Sequence, residues 1–264
     1  MRMTVRRLEA MRAAGTPVVA LTCYDAGFAR LLSDCGVDVL LVGDSLGMVV
    51  QGADSTLRVG IEDMAYHTRC VAAAGGPSLV MADLPFGSYQ ASPQQAFDSA
   101  ERLMAAGAQI VKLEGGAVMA PSVEFISARG VPVCGHIGLV PQSVHQFGGY
   151  RVQGRDEDAV ASLVDDALAL QNAGARALVL EMVPAAVGRV IRDAVSIPVI
   201  GCGAGPDCDG QVLVLHDMLG VSPPPLPRFV RNFGTGEGGV AGAIQRYVEA
   251  VRTRRFPSSA ECYP

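Results

Sequence analysis

The chain has 264 residues, half of them hydrophobic, with a formal net charge of −5 and a sequence pI near 5.4. This length fits one large α/β barrel or two small domains, and the acidic balance without a basic stripe argues against a nucleic-acid partner. Because no apolar run approaches the ~20 residues of a membrane helix, we expect no membrane partner either.

The first fifteen residues, MRMTVRRLEAMRAAG, are basic and amphipathic. Such a segment is compatible with a transit peptide, but a helix that caps the domain is the simpler interpretation. It lacks a continuous apolar stretch and runs directly into the first predicted strand. The sequence therefore favours a capping helix.

Eight short apolar runs follow, and helical patterns separate most of them. The predicted strands are 17–24, 38–44, 78–84, 109–114, 131–137, 177–183, 197–203 and 211–217. Their near-continuous hydrophobicity is typical of parallel strands that are covered on both faces.

Two helix starts are well marked. Ser92 to Gln95 combines an N-cap serine, a proline at the first helical position and a capping-box glutamine, and Asp156 opens a helix that ends at Gly174.

Eight such strand–helix units predict an α/β fold of the (β/α)8 TIM-barrel type with an N-terminal capping helix. We expect residues 1–264 to form a single barrel domain. An open, doubly wound sheet is the alternative, although no GxGxxG motif follows the first strand.

An acidic residue ends four of the predicted strands, each at nearly the same distance from a preceding glycine. The acids are Asp44, Asp83, Glu114 and Glu181, seven or eight residues after Gly36, Gly76, Gly107 and Gly174. In a parallel barrel these positions lie at the C-terminal rim, where active sites of this architecture are found. Any single acid is also compatible with a helix N-cap. Four carboxylates in a low-dielectric opening repel one another unless a cation lies among them, and oxygen ligands favour Mg²⁺ over zinc.

Lys112 is the only lysine of the chain. It is two residues from Glu114, so the two side chains share one face of a strand. Three roles are open: a countercharge for Glu114, an electrostatic contact to a substrate carboxylate or enolate, or a Schiff base with a carbonyl. The neighbouring anion stabilises the ammonium form, which favours the electrostatic role. His136 ends the fifth strand, where a core histidine and a functional one are equally compatible with the pattern. His216-Asp217 ends the eighth; a role in supporting the site is open there, but the sequence favours an ordinary structural role.

Several long strings resemble the ketopantoate hydroxymethyltransferase (3-methyl-2-oxobutanoate hydroxymethyltransferase) family. The most specific are VGDSLGM, DLPFGSYQ, VKLEGG and GHIGLVPQ, and the matching segments run in order from about residue 4 to 256. The resemblance implies a (β/α)8 barrel that assembles into a homodecamer. It also implies transfer of a hydroxymethyl group from methylenetetrahydrofolate to α-ketoisovalerate, through a magnesium-stabilised enolate, in pantothenate and coenzyme A biosynthesis.

The family's functional residues can be placed by motif. For the metal, the resemblance implies Asp44, Asp83 and Glu114, the last beside the metal and its waters. For the substrate, it implies Asp44, Ser45, Asp83 and Lys112, with Ser45 receiving the substrate carboxylate. For catalysis, it implies Glu181 as general base together with Lys112, Glu114 and His136.

Departures from the family pattern occur in the loop after the second strand, at Ala53, Arg58 and Gly60. They concern the packing of that loop and access for folate, not the metal ligands. The seven cysteines include no CxxC pair, which argues against a disulfide frame or zinc site and favours a reducing cytoplasm.

Three other functions remain in view from the sequence. The first is a metal-dependent lyase or mutase for phosphoenolpyruvate-like acids, and the second is a Schiff-base aldolase that uses Lys112. The third is a non-catalytic barrel that binds a keto acid, although the presence of an acid, a base and a cation argues against it.

Overall fold

Eight parallel strands form one closed barrel in the computed structural model, which describes residues 2–264. The strands are β1 Val18–Thr22, β2 Val39–Val42, β3 Leu79–Asp83, β4 Ile110–Glu114, β5 Val133–Gly138, β6 Ala177–Glu181, β7 Val199–Cys202 and β8 Gly210–Leu213. Each strand pairs with the next in sequence, and β8 pairs with β1. This closure confirms the predicted (β/α)8 barrel and excludes the open sheet.

Helices cover the outside of the barrel. Over the described residues they are α1 Val5–Ala13, α2 Ala26–Asp34, α3 Leu46–Val49, α4 Ile61–Ala74, α5 Pro93–Ala105, α6 Ala120–Ser127, α7 Val144–Phe147, α8 Glu157–Asn172, α9 Ala185–Ala194, α10 Leu215–Leu219 and α11 Gly239–Arg252. Within residues 2–264 none of these helices combines the length and the hydrophobicity that crossing a membrane requires.

The predicted helix starts are present. The Ser92 side chain accepts a hydrogen bond from the Gln95 backbone N–H at 3.1 Å, with a proline at the first position of α5. The Gln95 side chain accepts from the Ala91 backbone N–H instead of completing a capping box with Ser92. Asp156 caps α8 by accepting from the Ala159 N–H at 2.9 Å.

Inside the barrel, alternate residues of the strands point inward and form a separate apolar cluster. Its strand members are Val18, Ala20, Val39, Leu41, Leu79, Met81, Ile110, Cys134, Ala177, Val179, Ile200 and Val212. Met3 and Leu8 join this cluster from the N-terminal segment, and the Arg12 side chain donates to the Ile197 carbonyl at 2.7 Å, just before β7. The predicted capping helix is therefore confirmed: α1 closes the N-terminal end of the barrel.

The eighth unit differs from its predicted bounds. The strand ends at Leu213, whereas the prediction extended it to residue 217, and His216 and Asp217 lie on α10. The chain turns because the Leu215 N–H bonds the Thr22 hydroxyl at 2.8 Å instead of continuing the sheet. Between β7 and β8 the chain has no helix, and Gly203 and Gly205 adopt positive φ values of 70° and 86° in the connecting loop.

Candidate active site

The polar groups at the C-terminal rim continue the inward-facing positions of the apolar cluster. On β3, Asp83 is two residues beyond Met81, and on β6, Glu181 is two residues beyond Val179, as expected for side chains on one face of a strand. The rim site consists of Asp44, Asp83, Lys112, Glu114, His136 and Glu181, which all line one cavity. All but Glu181 are buried.

Lys112 lies between Asp83 and His136. Its Nζ is 3.2 Å from Asp83 Oδ1 and 3.0 Å from His136 Nδ1. Burial lowers the pKa of the lysine, but the charges of Asp83, Glu114 and Asp44 outweigh burial and raise it overall. The side chain is therefore an ammonium ion, and its ion pair is with Asp83, whereas the sequence suggested Glu114 as a countercharge.

These contacts fix the tautomer of His136. Because the Lys112 ammonium can only donate, His136 Nδ1 accepts and the ring proton resides on Nε2. Burial, together with the Lys112 charge, holds the pKa of His136 well below its usual value, so the ring is neutral. Nε2 lies 3.2 Å from Glu181 Oε2. Asp83, Lys112 and His136 thus form a row of polar contacts across β3 to β5, and Glu181 on β6 lies beside the end of this row without a hydrogen bond to His136.

Glu181 faces the cavity with 16 % of its side chain exposed. Burial raises its pKa to about 7, and the Lys112 charge opposes that rise. A carboxylate with this pKa is matched to proton transfer near neutral pH.

Asp44 lies beyond the end of β2, in the turn that leads into α3. Its backbone N–H donates to Asp83 Oδ2 at 3.1 Å, and this bond holds the two acids side by side. Burial and the neighbouring Asp83 charge raise the pKa of Asp44. The turn passes close to the site at Gly43, where a β-carbon would lie 2.8 Å from Ser45 Oγ. Ser45 itself shares a 2.9 Å hydrogen bond with the Tyr24 hydroxyl.

Gln142 and Tyr89 organise the site, and the sequence analysis missed both. Gln142 donates from its backbone N–H to Glu114 Oε2 at 2.8 Å and from its side-chain amide to Asp44 Oδ2 at 2.9 Å. The Tyr89 hydroxyl is hydrogen-bonded to Gln142 Oε1 at 2.7 Å and to the backbone of Glu114. Their motifs, GLVPQ and FGSYQ, belong to the strings that carry the family resemblance, which was the available signal.

The carboxylates fit a hard divalent cation in part. Asp83 Oδ1 is buried, its ion pair with Lys112 lacks the geometry of a hydrogen bond, and the Asp83 carboxylate lies beside that of Asp44, which it repels. A cation shared by Asp44 and Asp83 would remove that repulsion. In the described part of the chain, no group of three or more histidine, cysteine, aspartate or glutamate side chains converges as a metal site. Of the three predicted ligands, the structure brings Asp44 and Asp83 together, whereas Glu114 lies beside His136 and Gln142. Two carboxylates suffice for Mg²⁺, which usually retains water or substrate ligands.

The fold and the site define a class: a (β/α)8 barrel whose C-terminal rim carries buried carboxylates around one ammonium group. A family model described as ketopantoate hydroxymethyltransferase matches residues 2–259. The chain belongs to the ketopantoate hydroxymethyltransferase family.

Curated relatives match over nearly the whole chain. The 3-methyl-2-oxobutanoate hydroxymethyltransferase of Thiobacillus denitrificans is 57 % identical over 263 residues, covering 100 % of both chains. Enzymes of the same name from Azoarcus sp. and Neisseria gonorrhoeae are 59 % and 53 % identical, each covering 98 % of this chain, and 96 % and 98 % of the relative, respectively.

Solved structures with lower identity share the fold. A putative phosphonomutase from Burkholderia cenocepacia superposes with a TM-score of 0.65 at 18 % identity, covering 82 % of this chain and 94 % of the other. Phosphonopyruvate hydrolase in complex with oxalate and Mg²⁺ has a TM-score of 0.61 at 13 % identity, with 80 % and 81 % covered.

Proposed function

We propose that this chain transfers a hydroxymethyl group from methylenetetrahydrofolate to 3-methyl-2-oxobutanoate, giving ketopantoate. The observation that carries the proposal is the 53–59 % identity to full-length relatives of that name, joined to a rim site that holds an acid pair, an ammonium and a carboxylate base. Residues 1–264 act as one barrel domain in this proposal, which the single closed barrel supports.

The metal expected at the rim site is Mg²⁺, held by Asp44 and Asp83, with Glu114 next to it. When bound, it supplies Lewis acidity toward the oxygens of the keto acid. The complex of phosphonopyruvate hydrolase with oxalate and Mg²⁺ gives support, because that barrel binds a small dicarboxylate and this metal. In this proposal, Ser45, which follows Asp44 in the same turn and lines the cavity, receives the substrate carboxylate.

Glu181 is the proposed general base. It removes the proton from the carbon next to the ketone, and its raised pKa makes it an acceptor that is ionised above neutral pH. His136 Nε2 lies 3.2 Å from Glu181 Oε2 without forming a hydrogen bond to it, so both carboxylate oxygens remain available to accept the substrate proton.

Lys112 stabilises negative charge on the substrate and remains protonated throughout. Its raised pKa removes the neutral amine that a Schiff base requires. The substrate carbanion forms a carbon–carbon bond with the one-carbon unit of the folate. The bonds from that carbon to the folate nitrogens are broken, water supplies the hydroxyl group, and tetrahydrofolate leaves.

The proposal also includes a homo-oligomer, a decamer by family resemblance, in the cytoplasm. Sedimentation velocity of the purified chain measures the assembly: a ten-subunit species is expected, and a monomer at micromolar concentration would remove this part of the proposal.

A turnover assay tests the function. Ketopantoate should form from 3-methyl-2-oxobutanoate only when both methylenetetrahydrofolate and Mg²⁺ are present. Turnover of a phosphoenolpyruvate-like acid without folate would instead assign a lyase or mutase. Trapping of the keto acid on Lys112 by borohydride, unaffected by a chelator, would assign an aldolase. Binding without any turnover would assign a keto-acid-binding protein.

A further inference from the structure

The cavity is larger than a small keto acid needs. Its volume is about 730 Å³, within the ~300–1,000 Å³ of pockets that bury drug-sized ligands. The rim site occupies the side formed by β2 to β6. The other side is formed by α10 and the loop that follows it, and its apolar lining includes Val221, Pro225, Leu226 and Phe229.

Three polar residues interrupt this apolar lining: His216, Asp217 and Ser222. We refer to them as the α10 cluster. His216 Nδ1 and Ser222 Oγ are buried and, among residues 2–264, have no hydrogen-bond partner of good geometry. Ser222 lies close enough to Asp217 to lower the pKa of its carboxyl, although burial raises that pKa more. Buried polar atoms without partners are rare and costly, so the α10 cluster is suited to a ligand with hydrogen-bonding groups of its own.

The α10 cluster lies across β7 from the proposed base. The charges of both Glu181 and Asp217 act on the Cys202 thiol and add to the rise in its pKa that burial causes. Cys202 is the register partner of Glu181 on the neighbouring strand. On the β1 side of the α10 cluster, the His216 ring packs against Tyr24 at a centroid distance of 5.6 Å. The α10 cluster follows β8, so a ligand bound there is two strands from Glu181 on β6 and two strands from β2, whose end leads to Asp44.

The carboxylate of the α10 cluster indicates which kind of ligand can bind there. A carboxylate binds most strongly to a planar group that presents two parallel N–H donors. A keto acid has no N–H donor, whereas the pterin ring carries a 2-amino group and an N3–H on one edge with an oxo group beside them. The flat body of such a ring packs well between apolar walls and thioethers such as Met48 and Met182, which also line the cavity.

We infer that Asp217, supported by His216 and Ser222, binds the 2-amino and N3–H edge of the pterin ring of the one-carbon donor. The inference rests on the proposed function and adds to it the residues that hold the folate. Asp217 accepts both hydrogen bonds, and the unpartnered His216 and Ser222 atoms bond the neighbouring ring heteroatoms.

Asp217→Asn tests the inference, with tetrahydrofolate as the probe. One amide N–H then faces a ring N–H, so the Kd for tetrahydrofolate in calorimetry and the KM for methylenetetrahydrofolate should rise about ten- to hundredfold. Ser222→Ala, which removes only a hydroxyl group, should raise both about two- to tenfold. Asp98→Asn, on the exposed surface of α5, is the matched control and should leave both values at wild type.

An analogue separates direct recognition from a structural effect. Tetrahydrofolate that lacks the 2-amino group should bind wild type more weakly than tetrahydrofolate itself, and Asp217→Asn should reduce that difference at least fivefold. Unchanged tetrahydrofolate affinity in Asp217→Asn, or an undiminished difference between the two ligands, would overturn the inference.

Exchange of the α-hydrogen of the keto acid, measured without folate, distinguishes a failure of the pterin-binding inference from a failure of the proposed function. If the wild type exchanges the α-hydrogen and turns over, but Asp217→Asn binds tetrahydrofolate as tightly as the wild type does, only the assignment of Asp217 is refuted. Wild type that neither exchanges nor uses methylenetetrahydrofolate would refute the proposed function, and this inference with it.

Discussion

Glu181→Gln should abolish proton abstraction and, at the same time, stabilise the protein above neutral pH. The substitution keeps the shape of the side chain but removes its ability to accept a proton. If Glu181 is the base, exchange of the substrate α-hydrogen should fall about 10²- to 10⁴-fold, the usual contribution of a positioned base.

The stability effect follows from the pKa. Burial raises the pKa of Glu181 from 4.5 to about 7, which corresponds to ~3 kcal/mol at 1.36 kcal/mol per pKa unit. Between these two pH values the native state holds a proton that the unfolded chain has released. The contribution of Glu181 to stability therefore falls as pH rises from 4.5 to 7. At pH 8 the glutamine variant should have a free energy of unfolding up to about 3 kcal/mol higher than wild type, and below pH 4.5 this difference should be absent.

Two assays check the reasoning on the same samples. NMR detection of deuterium exchange into 3-methyl-2-oxobutanoate, with Mg²⁺ present, should show a wild-type rate that rises tenfold per pH unit below pH 7 and levels off above it. Urea unfolding at pH 4.5 and pH 8 gives the two free energies. Glu124→Gln on the exposed face of α6 is the matched control, and it should change neither quantity.

Two results would refute the reasoning. Exchange at the wild-type rate in Glu181→Gln would assign the base elsewhere. Equal free energies of unfolding of the variant and wild type at pH 8 would show that burial does not destabilise the ionised Glu181 carboxylate in the native state.

Three further predictions concern the rest of the rim site. Asp44→Asn and Asp83→Asn should each raise the Mg²⁺ concentration for half-maximal turnover at least tenfold, and calorimetric Mg²⁺ binding equal to wild type would contradict their role as ligands. Lys112→Met should lower the free energy of unfolding by about 3–5 kcal/mol because it leaves buried carboxylates uncompensated; a urea midpoint equal to wild type would show that the ion pair with Asp83 is dispensable. Gln142→Ala removes the amide that holds Asp44 and should reduce kcat about ten- to hundredfold; it should also lower the urea midpoint, because the buried Tyr89 hydroxyl and Leu84 carbonyl lose a partner. Wild-type kcat would make the hydrogen bond to Asp44 incidental.

The barrel could be predicted from the sequence because its strands are apolar on both faces and alternate with well-capped helices. The inward orientation of Lys112 and Glu114 followed from their spacing of two residues on one strand, and the structure places both in the cavity. The partner of Lys112 could not be predicted this way. It depends on the register between β3 and β4, which sets Asp83 opposite Lys112, and register between distant segments is not visible in a local pattern.

Other features lie in loops and were missed for the same reason. Gln142 reaches Asp44 across 98 residues of sequence from a short 3-10 turn, and no periodicity signals such a contact. His216 and Asp217 were predicted at the end of a strand because QVLVLHD is apolar nearly throughout. The chain instead leaves the sheet after Leu213, since the Leu215 N–H is bonded to the Thr22 hydroxyl.

The burial of Lys112 leaves the folded chain without an accessible side-chain amine for amine-directed reagents. No other lysine exists in the sequence, and this one is only 3 % exposed, so acylating dyes and cross-linkers have no accessible side-chain target while the barrel stays closed. Acylation of Lys112 thus occurs only when the barrel opens. The rate of this acylation therefore measures the rate of opening without an engineered label.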